Sequence, residues 1–540
     1  MPTAPSNPSR STSSIWVFLT AGAFLLLPDV VFGLLHPAYM AGISTGNLLM
    51  SVLLAFLITF ARPRLFGQLL LSFLFLLQAT ELIHFRYFGV FYSGYEISLM
   101  FREFNDTVSA ALDMWRYLLA PLFVSCLFFA IAIATHARHH RKGRHIPYLG
   151  LVGCIALLTP FAQTLAGKPS QKFQPNISAL SMKNGYYAAS YFMGRQIRLW
   201  TGKAQTLPDY KPYVLAPVET EKPNIVILMG ESTSYANMGM FGYARDTTPD
   251  LGRYSGQPNF IQARGISSAV STRVSLSLFY NIVNEPDNPG AIGSMAHSLY
   301  RLAKQQGYRT HYITTQYNAG GLTYAMSVKD IDTWKDRKDL SIYPGEHDDR
   351  LLLALKDLDL DYHQPNFVTL HMLSAHAPYT DNYPRSGAVY PDTGQGQHDY
   401  TVNSYDNSIL YTQKLIADIY AYFDALGQPV YIFFVPDHGE AMGQHGRYGH
   451  NFVQLDSALV PILVYGSHLA PERMAAMRER LGCLTNHYLV GKEIARLLGY
   501  TLENPNEVED TYYLNGTSAF GEAGFMSYSL KEQRQRYCPP

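Results

Sequence analysis

Asn224-Ile225-Val226-Ile227-Leu228-Met229-Gly230-Glu231-Ser232-Thr233 is the stretch on which the fold turns. Its apolar run, Ile225–Met229, is too short for an ordinary helix and shows no polar alternation. It therefore reads as a strand buried on both faces, the kind found in parallel sheets covered by helices. Similar runs follow at His311–Thr315, Phe367–Met372, Val430–Val435 and Val460–Tyr465. Helical patterns such as Met295–Gln306 and Asn407–Leu426 lie between them, so an α/β domain with a mostly parallel central sheet is expected.

Chemistry-bearing residues follow these strands. Gly230-Glu231-Ser232-Thr233 follows the first, Ser374-Ala375-His376 the third, and Pro436-Asp437-His438-Gly439-Glu440 the fourth, with His445 and His450 a little further on. Open α/β sheets bind ligands outside the carboxyl ends of their strands, so these groups are expected to converge on one edge. Glu231, Asp437, His438, His376 and His450 make an N/O ligand set without thiolates. Such a set suits zinc, with manganese as an alternative, and not a closed structural site. The segment 265–275 supplies Ser267, Ser268, Ser271, Thr272 and Ser275 ahead of an apolar helical stretch. A helix N-terminus there would favour phosphate, although composition alone does not choose among the hydroxyls.

The front of the chain is different. Five apolar stretches occur at Ile15–Leu35, Leu48–Ala61 (extended back to about Ala41), Leu65–Leu82, Tyr117–Thr135 and Ile146–Leu165. Each is read as a membrane span, against the roughly 20 residues a helix needs to cross a bilayer. Arg62 and Arg64 follow the second stretch, and Arg138, Arg141, Lys142 and Arg144 follow the fourth. The positive-inside rule then puts the N-terminus in the cytoplasm and the part after span five outside. Glu81 and His84 close the third span. The outward loop beyond carries Glu96, Ile97, Met100, Phe101, Arg102, Glu103, Asn105 and Asp106, spaced as an amphipathic surface helix. This loop is expected to close the catalytic site from the membrane side. Tyr186, Tyr187, Tyr191, Phe192 and Trp200, with Arg195 and Arg198, suggest an interfacial linker helix. The expected organisation is a five-helix membrane domain (1–167), a linker (168–222) and a catalytic α/β domain (223–540).

Composition narrows the function classes. The 540 residues carry 42 Lys+Arg against 42 Asp+Glu, and this zero balance argues against a nucleic-acid partner. Four cysteines, none in a C-x-x-C pair, exclude a zinc ribbon and a disulfide-dense scaffold.

Taken in order, these motifs resemble the membrane phosphoethanolamine transferases of Gram-negative bacteria, members of the alkaline phosphatase/sulfatase superfamily. The resemblance rests on 224–231, Ser271-Thr272, His371 with His376, Tyr405-Asp406-Asn407 through Thr412, Asp437-His438-Gly439-Glu440, and Gly446 through His450. It implies a zinc enzyme of the bacterial inner membrane with a periplasmic catalytic domain. Glu231, Thr272, Asp437 and His438 would hold one zinc, with Thr272 as nucleophile. His376 and His450 would hold the phosphoryl group or a second metal. The donor would be phosphatidylethanolamine, and the acceptor lipopolysaccharide (lipid A or a core sugar) or a related envelope glycan. Ala269-Val270-Ser271 and Leu276-Ser277-Leu278 stand where the family often has Cys-Gly-Thr and Pro-Cys-Met. The family's usual set of periplasmic disulfides is missing: only Cys483 and Cys538 lie in the outer part, their pairing left open, while Cys126 and Cys154 are in spans. A lipoteichoic-type glycerol-phosphate transferase, a sulfatase-like hydrolase and a non-catalytic membrane scaffold are the rival readings. A sulfatase would need a Cys/Ser-x-Pro-x-Arg segment, and Ser271-Thr272-Arg273 has no proline.

Overall fold

The computed structural model describes residues 10–35, 39, 44–88, 91–102, 115–140, 145–168, 173, 175–204, 206–317, 319–323, 325–358, 360–361, 363–392, 397–518 and 524–538. The chain divides into two compact units, Met1–Thr206 and Leu207–Pro540.

In the first unit, helices form at all five apolar stretches: α1 (Arg10–Leu35), α2 (Thr45–Phe60), α3 (Arg64–Phe88), α5 (Trp115–His139) and α6 (Leu149–Leu165), with the short α4 (Gly94–Arg102) after α3. Three of them, within α1, α3 and α5, are long and apolar enough to cross a membrane. The other two are apolar but only 16 and 17 residues long. At 1.5 Å per residue they reach about 25 Å, short of the roughly 30 Å hydrocarbon core. The expectation of five full spans thus holds for three helices by length.

The predicted linker helix forms as α7 (Ser181–Trp200) and packs within this first unit, against α3, α4 and α6. Small residues let it approach closely: a Cβ at Gly194 would lie 2.7 Å from Thr164 Cβ. Asp29 of α1, wholly buried, pins its start, accepting from Ser181 N at 2.6 Å, Ser181 Oγ at 3.0 Å and Gln78 Nε2 at 3.2 Å, besides a bond from the Tyr39 hydroxyl. Glu81 does not reach water at the helix end. It is buried and accepts from Tyr92 N at 3.0 Å. His84 stands edge-on to Tyr92, and Glu96 accepts from Ser93 N at 2.8 Å. Glu103, Asn105, Asp106, Arg141, Lys142 and Arg144 lie outside the described residues.

The second unit is built on an eight-stranded sheet. Its strands are β1 (Asn224–Gly230), β2 (Phe260–Ile266), β3 (Arg309–Thr314), β4 (Thr333–Lys335), β5 (Asn366–His371), β6 (Val430–Pro436), β7 (Leu459–Ser467) and β8 (Leu484–Asn486). The spatial order is β8-β2-β7-β6-β1-β5-β3-β4. All neighbours pair in parallel except β7, which runs antiparallel to both β6 and β2. β2, β4 and β8 were not apparent as apolar runs: β2 is broken by Gln262, Arg264 and Gly265, and the other two are three residues long. Alternate residues of β1 enter different cores, Ile225, Ile227 and Met229 on one face, Val226 and Leu228 on the other. That two-sided burial explains the unbroken apolar run.

Helices α8 (Thr272–Tyr280), α9 (Leu299–Gln305), α10 (Gln397–Leu426) and α11 (His487–Leu497) are among those covering the sheet. Strand Val214–Pro217, inside the expected linker, pairs antiparallel with Tyr500–Glu503 of this same unit. Cys483 and Cys538 form a disulfide that ties the C-terminal helix Leu530–Tyr537 to β8; Cys126 and Cys154 are free.

Candidate active site

The site begins with adjacency. β1 and β6 are parallel neighbours in register, Gly230 opposite Pro436, and Asp437 N donates to Gly230 O at 3.0 Å. The first residues past each strand, Glu231 and Asp437, therefore emerge side by side. Ser232 takes a left-handed conformation (φ 51°), unusual for a residue with a side chain, and its N–H donates to Asp437 Oδ1 at 2.9 Å. The Tyr405 hydroxyl of α10 clamps the same turn, donating to Ser232 O at 2.7 Å and accepting from Ser234 N at 2.9 Å.

One ligand atom from each of Glu231, Asp437 and His438 lies within 4.8 Å of the others, and all three residues are buried. His438 Nδ1 donates to Gly439 O at 3.0 Å, so the proton sits there and Nε2 presents its lone pair. Nε2 lies 3.3 Å from Asp437 Oδ2, 3.8 Å from Glu231 Oε1 and 3.3 Å from Thr272 Oγ1. Thr272 is the first residue of α8, half-buried, behind the N-cap Ser271. Ser275, one turn on, donates to Asp437 O, which ties α8 to the end of β6.

The electrostatics are unfavourable without a cation. Burial, and then the neighbouring Asp437 charge, push the Glu231 carboxyl well above its ordinary range, and burial also raises Asp437. Burial, and then His450, drive His438 down to about 3, so its imidazole is neutral. Asp437 Oδ2 is buried without a hydrogen-bond partner. Two like carboxyls, one with an orphaned oxygen, facing a bare imidazole nitrogen make a set that a divalent cation would satisfy. The residues fit a zinc site of the N/O type.

A second cluster shares His438 with Glu440 and His450. The His438 and His450 rings lie 4.2 Å apart, and His450 Nδ1 is 2.6 Å from Glu440 Oε2. Burial works against charge on His450, but the Glu440 carboxylate prevails and holds it above the ordinary imidazole range. His376 is at the rim, its ring 6.5 Å from that of His450 and its Nδ1 donating to Ala377 O. His445 takes no part, being exposed and paired with Asp456 at 2.6 Å. The roles of Glu440 and Tyr405 were not read from sequence, although both lie in stretches that carried the resemblance. Ten residues separate Glu440 from His450, and only the turn between them brings the two together.

A fold of this topology, carrying a carboxylate–imidazole cluster at the strand ends with a hydroxyl on a helix N-terminus beside it, defines a class. The chain belongs to the sulfatase family, whose model matches residues 223–498. It is 27% identical over 322 residues to the Kdo(2)-lipid A phosphoethanolamine 7''-transferase of Salmonella typhimurium, a match taking in 55% of each chain and thus about half the length of that relative. It is 23% identical over 396 residues to phosphoethanolamine transferase EptC of Escherichia coli (strain K12), covering 67% of each. Among solved structures, the zinc complex of the C-terminal periplasmic domain of EptC from Escherichia coli matches at 20% identity and a TM-score of 0.47, over 60% of this chain and 97% of that one.

Proposed function

We propose that this chain is a zinc-dependent phosphoethanolamine transferase. On this reading it takes phosphoethanolamine from phosphatidylethanolamine onto Thr272 and passes it to lipid A, a core sugar of lipopolysaccharide, or a related envelope glycan. The observation that carries the proposal is the Thr272 hydroxyl, 3.3 Å from His438 Nε2 at the start of α8, beside the buried Glu231–Asp437 pair. The names of the relatives supply the substrate class, and the geometry supplies the chemistry.

Glu231, Asp437 and His438, with Thr272, would hold the zinc. When bound, zinc supplies Lewis acidity: it favours ionisation of an adjacent hydroxyl and offsets phosphoryl charge. Thr272 Oγ1 attacks the donor phosphorus, forming an O–P bond as the bond to the diacylglycerol oxygen breaks. In net balance the Thr272 proton ends on the released diacylglycerol hydroxyl. His450, whose imidazole the Glu440 carboxylate holds above the ordinary range, is placed to meet the phosphoryl group or a second metal, and His376 stands beside it at the rim. An acceptor oxygen then attacks the phosphorus as the bond to Thr272 Oγ1 breaks, and in net balance its proton returns to Thr272, completing transfer in two steps through a covalent intermediate. Sulfate-ester cleavage is not proposed, because Ser271-Thr272-Arg273 lacks the proline-containing segment that chemistry requires.

The three long apolar helices make it a membrane protein. We place the catalytic unit in the periplasm and the N-terminus in the cytoplasm, on the Lys/Arg distribution and on the Cys483–Cys538 disulfide, which suits an oxidising compartment. The direct test incubates purified protein with a phosphatidylethanolamine bearing labelled ethanolamine and measures the intact protein mass. A phosphoethanolamine adduct on the wild type and none on Thr272→Ala supports the proposal; an adduct on both refutes the nucleophile. Lipopolysaccharide mass spectra from cells with and without the protein identify the acceptor.

A further inference from the structure

Resting on the metal-site reading above, we infer that Gln316 is the positioning residue of Glu231, reaching it across the sheet edge with an amide whose two hydrogens go to Glu231 and to the Met372 carbonyl. Gln316 follows β3, two strands away from β1 in the order β1-β5-β3. At about 4.8 Å per strand its backbone stands roughly 10 Å to the side of β1, and its side chain must pass over the end of β5 to reach Glu231. It does so and is buried throughout. Nε2 donates to Glu231 Oε2 at 2.7 Å and to Met372 O at 2.7 Å, and lies 3.4 Å from His371 Nε2. Both short partners only accept, so the amide nitrogen must point at the carboxylate.

Each end of this reach is anchored. Gln316 N donates to Thr314 Oγ1 at 3.1 Å. Thr315 is held on both sides, its carbonyl by Arg337 Nη1 at 3.2 Å and its hydroxyl by the buried carboxylate of Asp348. Asp348 also accepts from Leu373 N at 3.1 Å and Ser374 N at 2.9 Å, joining the segments after β3 and β5 into one support. On the far side the Tyr312 hydroxyl lies 2.6 Å from His371 Nδ1. The Asp348 contacts also join the ends of β3 and β5. Toward the site this support meets Glu231 Oε2, while Ser232 Oγ donates to Oε1 at 2.7 Å. With both carboxylate oxygens held, Glu231 has a single orientation toward Asp437 and His438. A metal-ligating carboxylate fixed by outer hydrogen bonds binds its ion about 10–100-fold more tightly than one left free.

The test uses full-length protein in detergent, stripped of metal by chelation and titrated with zinc against a chromophoric competitor. Gln316→Met keeps the length of the side chain and removes the donor. It is expected to raise the zinc Kd about 10–100-fold, while transfer returns to near the wild-type rate once zinc is saturating. A merely structural role would not be reversed by zinc. Thermal unfolding of the zinc-free proteins reports whether the variant folds. If it does not, Gln316→Asn keeps an amide but draws it back by one methylene from Glu231, and is expected to raise the zinc Kd at least about threefold. Unchanged zinc affinity in a folded Gln316→Met, or in Gln316→Asn where that variant is the one available, overturns the inference while leaving the metal function standing. A wild-type chain that takes up no zinc overturns both.

Discussion

The backbone N–H of Asp437 donates to the carbonyl of Gly230 at 3.0 Å, and this one bond seats Asp437 next to Glu231 although 206 positions separate the carboxylates in the chain. Parallel pairing of β1 with β6 produces it, and the charge conflict that follows gives the site its demand for a cation. Several measurable consequences stem from this relationship.

Glu231→Gln removes one of two buried like charges. Zinc uptake should fall below detection, while the zinc-free variant should stay within about 1–2 kcal/mol of the zinc-free wild type, because relief of the conflict with Asp437 offsets the acceptor lost to Ser232 or Gln316. Equilibrium urea titration of both metal-free proteins checks it. A variant that takes up zinc as the wild type does would remove Glu231 from the metal site.

Thr272→Ala should lower transfer by about 10³–10⁵-fold with zinc affinity reduced but measurable, since three other ligands remain. Thr272→Ser should keep part of the rate because the nucleophilic oxygen survives. Equal losses in the two variants, read from labelled-donor turnover, would count against a nucleophilic role.

Glu440→Gln takes the counter-charge from His450. Turnover should drop about 10²–10⁴-fold, with zinc bound at Glu231, Asp437 and His438 largely retained. Activity assays paired with metal analysis separate this outcome from simple loss of the ion.

The second unit begins at Leu207, before the apolar β1. Tyr213 is buried in the sheet's core and its hydroxyl bonds Glu285, and Val214–Pro217 pairs with Tyr500–Glu503. A fragment from Leu207 should fold, whereas one from Pro223 should melt lower by about 6 °C or more, reflecting roughly 3 kcal/mol of lost packing. Calorimetry of the two fragments decides it.

Away from the site, Glu493 of α11 accepts from Arg480 at 2.7 and 2.9 Å and from Arg496 at 2.6 Å. Burial opposes its charge, but the two guanidinium groups prevail and hold its carboxyl below the ordinary range. A depressed carboxyl contributes stability above its unfolded pKa of about 4.3 and loses it as pH falls through the folded value. Glu493→Gln should therefore be less stable at pH 7 by about 1–3 kcal/mol, with the difference shrinking below about pH 4. Denaturation series at pH 7 and pH 3.5 measure it.

The sequence by itself determined the class of fold and named residues that the structure brings together in the candidate site. Ile225–Met229 and Val430–Val435 are continuous apolar runs because both faces of their strands are covered, and that pattern is local. The polar residues after them are local as well, which is why Glu231, Asp437 and His438 could be picked out before any strand was paired. The tertiary structure alone decided the rest. β2 was hidden because Gln262, Arg264 and Gly265 interrupt its apolar pattern, and β4 and β8 because three residues make no pattern at all. Strand order, which sets β6 beside β1 and leaves β7 antiparallel, depends on long-range packing that no window of sequence contains. Gln316 and Tyr405 have the same limitation. A glutamine after one strand and a tyrosine in a long helix acquire meaning only when folding carries them to Glu231 and Ser232, because a hydrogen bond depends on position in space and not on position in the chain.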